Sequence, residues 1–483
     1  MTELTEVKEV SAKTFKSYVF FWSGQLISIL GSIIVQFVII WWVTIRTRSA
    51  LFLSIANIAG FLPFILITPL AGVFADRWNR KILIGSVDFL QAVATVVLIM
   101  FFTFEDSIFN YPKFSFTFDI VTYIYRSDRA IANTGPITFV WIVLIFLAIR
   151  GSLQAFQVPA IQAIIPIMVP RKHLNRMNSI DFLFNGVMGL IGPIIAALLL
   201  AIPFLSIGNL LWIDAITFLI AVIPLVIIKI PSVTKAEKKV ERDTTFFQEF
   251  KEGVSFIRNK KGLLALLGVF TAANLCLTPL FTLINLYVYT GHSGTATNLA
   301  LVLAFFQGGM IGASILMVIW KGFKKKVIGV AAGIMVTYLG FLMVSLTPKG
   351  LFWFMGIGML IQGIALPVLN LSSQYIWQTV VPKEKLGRVM AVRQTLAQFS
   401  APLGMILSGL IASLLEKSSV DARHAINPVF WGAIVLGTSL LLFSWFFTNM
   451  RHVEDDIDYT KSPDEPPTFD VEETAIIPVI QVD

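Results

Sequence analysis

The sequence has few of the residues on which soluble domains and enzymes depend. Only 14% of its 483 residues are charged, whereas an average soluble domain carries about 25%. The single cysteine, Cys276, lies in an apolar run, so a disulfide framework and a cysteine-ligated metal site are both excluded. We expect Cys276 to be a small buried residue.

Motifs that carry chemistry are also absent. There is no Gly-x4-Gly-Lys-Ser/Thr sequence, which excludes direct use of ATP by a phosphate-binding loop. There is no His-Glu-x-x-His, Cys-x-x-Cys or Gly-x-Ser-x-Gly sequence, and the four histidines stand apart in predicted loops. We therefore expect no catalytic residues, no metal site and no cofactor, and we predict that the protein is not an enzyme.

Long apolar segments dominate what is present. Hydrophobic residues make up 56% of the chain, and runs of about 20 of them, enough to cross about 30 Å of hydrocarbon as a helix, recur throughout. The first run is too long for a signal peptide and has no small-residue cleavage site. The predicted fold class is an all-α polytopic membrane protein of two six-helix bundles, with twelve spans at residues 17–44, 50–75, 82–104, 136–160, 176–200, 206–229, 263–289, 296–320, 327–346, 350–378, 387–414 and 427–450.

The segments outside the spans complete the domain organisation. The predicted divisions are a cytoplasmic tail (1–16), a first bundle (17–230) with an extracellular loop (105–135), a linker (231–262), a second bundle (263–450) and an acidic tail (451–483). The loop is interpreted as an insertion, with a small extracellular cap as the alternative. The tail carries ten acidic residues and four prolines, a composition typical of disorder.

The linker contains a predicted amphipathic helix. Thr245 is followed three residues later by Gln248, a capping-box pattern at a helix start. Apolar residues then recur at helical spacing among lysines and glutamates, at Phe246, Phe250, Val254 and Ile257. Such a pattern favours a helix that lies along the membrane surface.

The positions of lysine and arginine predict the orientation. If the N-terminus is inside, the inner segments hold 26 of these cations and the outer segments hold 8. Because cytoplasmic loops carry the excess of positive charge, we expect a multi-pass protein of the plasma membrane with both termini in the cytoplasm. The net charge of +8 lies in short loops, so we expect contacts with membrane lipids, no nucleic-acid partner and a monomer.

An internal repeat relates the two bundles. The segment from Val169 to Arg176 aligns with the segment from Val381 to Arg388 at an offset of 212 residues. The same offset pairs two further positions, Gln162 with Gln374 and Gly192 with Gly404. Similarity at a fixed offset is the mark of a repeated architecture, so the sequence predicts a duplication.

A charged island between the second and third spans carries a family resemblance. The residues Gly72-x-Phe-Ala-Asp76-Arg77-x-x-Arg80-Lys81 resemble the signature of the major facilitator superfamily, with Asn79 where the family usually has glycine. The chain is most similar to drug:proton antiporters of the macrolide-efflux type. The motifs that carry this likeness are Trp22-Ser-Gly-Gln25, Leu53-Ser54, Gly60-Phe-Leu-Pro63, Ile149-Arg150-Gly-Ser, Val158-Pro159-Ala160, Arg258-Asn-Lys-Lys-Gly262-Leu and Leu386-Gly-Arg388-Val389.

The resemblance implies a role for the charged island. In such transporters the acidic residue sits against the start of the eleventh span, where unpaired N–H groups favour a carboxylate. The implied conformational latch consists of Gly72, Asp76, Arg77, Arg80, Lys81, Gly387 and Arg388. The alternative is a positively charged turn that only fixes topology. We expect Asn79 to replace glycine by adopting positive φ.

Charged residues inside the spans are candidates for proton coupling, because charge in a bilayer is costly and marks function by default. Arg150 needs an acid, a carbonyl or a water-filled cavity, and the acids available are Asp88, Asp181 and Asp214. For Asp88 and Asp181 the alternative is snorkelling or pairing with loop cations. For Asp214 it is a structural hydrogen bond to a neighbouring helix.

Neutral polar residues in the spans are candidates for a substrate cavity. They are Gln25, Gln36, Gln154, Asn285, Gln307 and Gln374; bonding between helices is their alternative role. Small residues predict close helix packing at Gly308-x-x-x-Gly312 and at Gly186, Gly189 and Gly192.

Taken together, these features predict a secondary active transporter that exports small, mostly hydrophobic compounds in exchange for protons by alternating access. One alternative is a siderophore exporter or a lysolipid transporter of the same fold. An alternative of another class is a non-transporting sensor or scaffold that uses the acidic tail.

Overall fold

The computed structural model describes residues 12–104, 137–228, 246–320, 322–416 and 422–455. The helices in these ranges are α1 (Ala12–Thr47), α2 (Ala50–Arg77), α3 (Arg80–Thr103), α4 (Ile137–Met168), α5 (Arg171–Leu200), α6 (Ile207–Ile227), α7 (Phe246–Asn259), α8 (Leu263–Leu286), α9 (Ala296–Ile319), α10 (Lys326–Ser345), α11 (Phe352–Val380), α12 (Lys383–Glu416) and α13 (Ala422–Phe447). All but α7 are long and apolar enough to cross a membrane, which makes twelve spanning helices. The predicted fold class is confirmed. The predicted loop 105–135 lies outside the described residues.

Short polar caps separate these long helices. The Asn79 side chain accepts a hydrogen bond from the backbone N–H of Lys81 and so begins α3. Its φ is −68°, so the expectation of positive φ was wrong: the residue acts as a helix N-cap, a position that asparagine favours in extended backbone. Thr295 and Asn298 form a capping box at the start of α9.

Each half of the chain forms its own bundle. In the first half α2 packs on α4, α3 on α4 and α6, and α1 on α5 and α6. In the second half α11 packs on α9 and α10, and α8 on α12 and α13. The halves are joined mainly by α2 with α12 and by α5 with α9, and to a smaller extent by α8 with α1 and α2.

The halves meet at one face of the molecule. We call the face that holds α7 and the start of α1 the linker face, and the face that holds the turn between α1 and α2 the far face. The larger cluster of buried apolar side chains contains residues of both halves, and its first-half members lie toward the far face, at Ile34–Val43, Ala50–Ala56, Leu98–Ile99, Phe139–Leu147, Ala196–Ala197 and Leu210–Leu211. The smaller cluster, from Tyr18 to Ile228, lies at the linker face and belongs to the first half alone. Among the described residues the halves therefore share a core only toward the far face.

Glycines at the junction bring the helices close. A Cβ built on Gly409 of α12 would overlap Ser54 Oγ of α2, and one on Gly189 of α5 would overlap Gln307 Nε2 of α9. Gly186 also faces α9, whereas Gly192 packs on α1 within the first half. The prediction for Gly308 and Gly312 was wrong, since no described residue lies within 4 Å of a Cβ at either position. The adjacent Gly309 makes the close approach instead, 2.6 Å from Leu360 O.

The helix of the linker lies along the start of α12. Glu252 of α7 forms an ion pair with Arg388 of α12. A Cβ on Gly253 would be 2.9 Å from the Arg388 carbonyl oxygen, and Lys385 lies 5.7 Å from the ring centroid of Phe256. The amphipathic helix is thus attached to the second half at the linker face.

The chain after α13 folds back on the second half. We call the segment Asn449–Asp455 the C-terminal strap. The buried Glu454 accepts hydrogen bonds from the backbone N–H groups of Lys326 and Val327 at 3.0 and 2.9 Å, at the start of α10. The sequence assigns these residues to the acidic tail, but the first part of that segment, 451–455, packs against the bundle; the remainder lies outside the described residues.

Candidate functional site

Arg150 forms an ion pair inside the first half. Its Nη1 and Nη2 atoms donate to Asp214 Oδ2 and Oδ1 at 2.6 and 3.0 Å. Arg150 is 8% exposed and Asp214 is fully buried. Of the three acids that the sequence leaves open as partners, the structure selects Asp214, which α6 presents to α4.

The remaining acceptors of Asp214 are used by hydroxyl groups. Thr95 Oγ1 lies 2.8 Å from Oδ2, and Ser32 Oγ donates to Oδ1 at 3.2 Å. The Arg150 guanidinium also faces Phe146 and Phe218, 6.0 and 5.6 Å from their ring centroids. A buried pair needs this degree of hydrogen bonding to offset the desolvation of two charges. The pair ties α1, α3, α4 and α6 together.

Asp88 has different surroundings. It is fully buried, and its Oδ2 and Oδ1 atoms accept from Gln25 Nε2 at 3.1 Å and from Gln157 Nε2 at 2.6 Å. In the described part of the chain no cation forms an ion pair with it. The interpretation of Asp88 as snorkelling or paired with a loop cation was wrong, because the side chain points into the bundle and not toward the membrane surface.

A series of polar side chains runs between the two carboxylates. Gln91 Nε2 donates to Gln157 Oε1 at 3.2 Å, which links Gln91 to the group that binds Asp88. Thr95 Oγ1 lies 3.0 Å from the Gln91 carbonyl oxygen and 2.8 Å from Asp214, and its one proton can be given to either. We call the series Asp88, Gln157, Gln91, Thr95 and Asp214 the carboxylate chain.

Asp181 lies outside the carboxylate chain. Its Oδ1 atom accepts from Trp22 Nε1 at 2.8 Å, and the residue is partly exposed. It is therefore less enclosed than Asp88 and Asp214, which are fully buried.

The charged island between α2 and α3 is partly described. Arg80 Nη1 donates to the Ala163 carbonyl oxygen of α4 at 3.0 Å. Lys81 Nζ donates to the carbonyl oxygens of Val226 and Ile228, at 3.0 and 2.7 Å, where α6 ends. A cation is favoured at a helix C-terminus, so the island holds the ends of α4 and α6. The side chains of Asp76 and Arg77 and the surroundings of Gly72 lie outside the described residues, and the latch remains a prediction.

At the other side of the predicted latch, Gly387 is exposed, and none of the described residues lies within 4 Å of a Cβ there. Its neighbour Arg388 pairs with Glu252 of α7. The start of α12 is thus accessible at one residue and engaged by the linker helix at the next.

The neutral cavity candidates fall into three groups. Gln25 is buried and bonded to Asp88. Gln307 joins the halves by donating to the Gly186 carbonyl oxygen at 3.5 Å, and Asn285 is partly buried. The exposed candidates are Gln36, Gln154 and Gln374.

Sequence reasoning missed several members of the site. Gln157, Thr95 and Ser32 were not candidates, because nothing in a single sequence shows which faces of four helices meet. Arg393 of α12 was also missed, although the search for cations inside spans that finds Arg150 finds it too. It lies 5.2 and 5.6 Å from the ring centroids of Phe270 and Trp377.

Comparison with known protein families shows which family the chain belongs to. The family model described as Major Facilitator Superfamily matches residues 21–359 and 297–477. The chain belongs to the major facilitator superfamily. Superfamily members are built from two repeated halves, with the substrate site between the halves near the bilayer midplane. This agrees with the duplication found in the sequence and with the two bundles.

Curated members of the superfamily resemble most of the chain. It is 28% identical to Macrolide efflux protein A of Streptococcus pyogenes over 392 residues, and this match covers 81% of this chain and 88% of the relative. It is 26% identical to Macrolide efflux protein A of Enterococcus faecalis over 74% of this chain and 99% of that one. The predicted resemblance to macrolide efflux proteins is confirmed.

Solved structures of the superfamily share the fold. A bacterial homologue of the iron transporter ferroportin, solved in an inward-facing state, aligns with a TM-score of 0.64 at 14% identity, over 90% of this chain and 99% of that one. The family and this structural relative are transporters, so the site described above belongs to a transporter fold.

Proposed function

We propose that the protein exports small, mostly hydrophobic compounds of the macrolide type across the cytoplasmic membrane in exchange for protons. The observation that carries this proposal is the similarity to macrolide efflux proteins over 81% of the chain. The carboxylate chain inside the first half supports proton exchange, because a buried ionisable group in a spanning helix marks a functional site by default.

The linker face is proposed to be the cytoplasmic face. The excess of lysine and arginine in the segments on that side, 26 against 8, follows the positive-inside rule. Among the described residues the halves share a core only toward the far face, so we infer that the space between them opens to the cytoplasm. Compounds would load from that side, as export requires.

Asp88 is proposed to be the proton carrier. Asp214 is ion-paired with Arg150, so the two charges compensate each other without a proton. Asp88 accepts from two amides only, and an amide adds no positive charge. A proton is then the species that can cancel its charge. When Asp88 loses its proton, its negative charge would attract further hydrogen-bond donors. A different packing of α1, α3 and α4 would then be favoured.

Asp76 is proposed to hold the linker face closed after the halves have moved. A carboxylate at the start of α12 would be stabilised by the unpaired N–H groups and the helix dipole there. The exposed backbone at Gly387 supports this role, since no described side chain covers it. A normal rate of export by an Asp76→Asn variant would contradict the latch.

Transport in inverted vesicles tests the main proposal. We expect a macrolide to accumulate in vesicles that contain the wild-type protein when their interior is made acidic, and accumulation to stop when the gradient is collapsed. Accumulation that ignores the gradient would refute proton exchange, and failure to move any compound of a hydrophobic panel would refute export.

Single substitutions test which residue carries the exchanged proton. Asp88→Asn should remove the dependence on the pH gradient, because an amide cannot exchange a proton at this position. Asp455→Asn is the matched control, since Asp455 is an exposed acid of the C-terminal strap and should keep the dependence. If Asp88→Asn keeps it as well, Asp88 is not the carrier.

A further inference from the structure

Arg393 is a cation inside a spanning helix of the second half. It lies ten residues after the start of α12 at Lys383, or about 15 Å along the helix axis. The guanidinium lies over the rings of Phe270 of α8 and Trp377 of α11, and its Nη2 donates to Ser373 Oγ at 3.2 Å. The side chain is partly exposed. It therefore faces the junction of α8, α11 and α12.

The charge of Arg393 has no compensating carboxylate in the described structure. The sequence from Leu263 to Val380 contains no aspartate or glutamate, and in α12 the acids stand only at its ends, at Glu384 and Glu416. Arg150, the other cation deep in a span, is neutralised by Asp214. Two aromatic faces attract a guanidinium through their ring electrons, but they leave its charge in place.

A second donor beside Arg393 is also unsatisfied. Trp377 is fully buried and its Nε1 atom has no acceptor among the described residues. An indole N–H normally finds a partner when it is buried. The guanidinium thus lies over a fully buried indole ring, while the neighbouring α11 residues Asn370 and Gln374 are exposed.

The internal repeat gives this position a counterpart. The offset of 212 residues places Arg393 on Asp181 of α5, which is also partly exposed. Equivalent positions in the two halves thus carry opposite charges.

We propose that Arg393 forms an anion subsite that binds the carboxylate or phosphate group of an amphiphilic ligand. Phe270 and Trp377 hold the guanidinium in place, and the apolar body of the ligand lies between the halves. This proposal rests on the proposed function, because the ligand is taken to be a compound that the protein exports. It extends the proposed substrate class to anionic amphiphiles.

Binding to the purified full-length protein tests the subsite. Laurate, dodecanol and dodecyltrimethylammonium carry the same chain with a negative, neutral and positive head, and their affinities can be compared by titration in phosphatidylcholine nanodiscs. We expect laurate to bind most tightly and Arg393→Gln to weaken laurate about tenfold or more, as expected for a lost charge-assisted bond. Equal affinity for laurate and dodecanol, or unchanged laurate binding by Arg393→Gln, would overturn the proposal.

Two further variants keep the test decisive. Arg46 also lies over a tryptophan ring, that of Trp42, 6.0 Å from its centroid at the far end of α1, and Arg46→Gln should bind laurate like the wild type. If Arg393→Gln does not fold, Arg393→Lys replaces it, because lysine keeps the charge but loses the planar, stacked group. Unchanged laurate affinity in Arg393→Lys would then overturn the subsite geometry.

The anion has two sources, a bilayer lipid or a compound from solution. In nanodiscs that contain phosphatidylglycerol, weaker laurate binding would identify the lipid headgroup as an occupant, and unchanged binding would identify the dissolved anion; both results support the subsite. The titration uses no pH gradient. Failure of proton-coupled export therefore leaves its result unaffected, and failure of laurate binding leaves macrolide export standing.

Discussion

Asp88 and Asp214 are two aspartates of the same bundle whose hydrogen-bond partners differ. Asp214 receives two bonds from a guanidinium and contacts two hydroxyl groups. Asp88 receives two bonds from amides. Both are fully buried, so the difference in their charge compensation comes from their partners and not from exposure.

The Arg150–Asp214 pair should dominate the stability of the first half. Asp214→Asn leaves the Arg150 charge buried without a counter-charge, which costs about 3–5 kcal/mol of the free energy of unfolding. The double variant Arg150→Gln, Asp214→Asn should recover part of this loss, because no charge is then left unpaired. Thermal unfolding in detergent measures both.

Asp181→Asn serves as the control for this experiment. Asp181 accepts one bond from Trp22 and is partly exposed, so its loss should cost about 1 kcal/mol. An Asp214→Asn variant no less stable than Asp181→Asn would show that the pair contributes little.

At this scale the sequence predicts which residues matter better than it predicts their partners. Arg150 stands out because charge in a span is costly, and all three candidate acids are real intramembrane residues. The choice among them depends on how α4 and α6 are rotated, which no local pattern encodes. Gln157 and Thr95 carry ordinary side chains in apolar helices, so they gave no signal at all.

Among the helices, α10 shows how a terminus is satisfied from far along the chain. Its first N–H groups are bonded by the carboxylate of Glu454, which lies after α13. The helix has no side-chain cap of its own at Lys325. The C-terminal strap therefore belongs to the second bundle.

Truncation should separate the strap from the rest of the acidic segment. Removal of residues 456–483 should leave thermal stability and transport unchanged. Removal of residues 449–483 should lower the unfolding free energy by about 2 kcal/mol or more, because two charge-assisted bonds to α10 are lost. Full-length Glu454→Gln should reproduce part of that loss, and equal stability of the two truncations would contradict the role of the strap.

The neighbouring Asp455 gives the strap a defined response to acid. A hydrogen bond to His452, followed by the proximity of Lys325, holds the pKa of Asp455 below its usual range. Because its pKa is lowered in the folded state, the ionised Asp455 carboxylate stabilises the folded protein above a pH of about 3.9, the ordinary pKa of an aspartate. This stabilisation is lost as the pH falls through the lower pKa of the folded state. The wild type should therefore melt at a higher temperature than Asp455→Asn at pH 5, and this difference should decrease in stronger acid.

For the whole molecule, the decisive feature is that the halves touch toward the far face. Gly409 brings α12 against α2 there, and Trp41 meets Tyr289 of the second half edge-to-face at 5.5 Å. Arg48 of the first half also lies 5.7 Å from the Tyr289 ring centroid. The described conformation depends on these contacts.

Two variants should shift the conformation in opposite directions. Gly409→Ala places a Cβ against Ser54 and the Ala50 carbonyl oxygen, and such overpacking costs about 1–3 kcal/mol, so it should favour opening of the far face. Asp76→Asn removes the proposed latch and should favour opening of the linker face. Labelling of single cysteines placed at each face, in a Cys276→Ser background, measures both shifts.

Gly432→Ala is the matched control, since nothing lies within 4 Å of a Cβ at that position of α13. It should label like the wild type. A Gly409→Ala variant that labels like Gly432→Ala would show that the close approach of α12 and α2 does not determine the conformation.

The sequence predicts the architecture of the whole molecule well and its conformation not at all. Twelve spans and the duplication follow from apolar runs and a fixed offset, because both are local or periodic properties of the chain. Which face is closed depends on the contact of Gly409 with Ser54, between residues that are far apart in sequence. The glycine pattern on α9 misled for the same reason: Gly309, not Gly308 or Gly312, faces a neighbouring helix.

The carboxylate chain lies entirely in the first half, while Arg393 lies in the second. If a proton binds at one and an anion at the other, the two equilibria are linked through the contacts of α2 with α12 and of α5 with α9. Linkage is reciprocal: the factor by which protonation changes the affinity for the anion equals the factor by which the anion changes the affinity for the proton. Exchange between the two ligands is then a property of the contacts between the halves, and substitutions there, at positions that touch neither ligand, set how tightly one is coupled to the other.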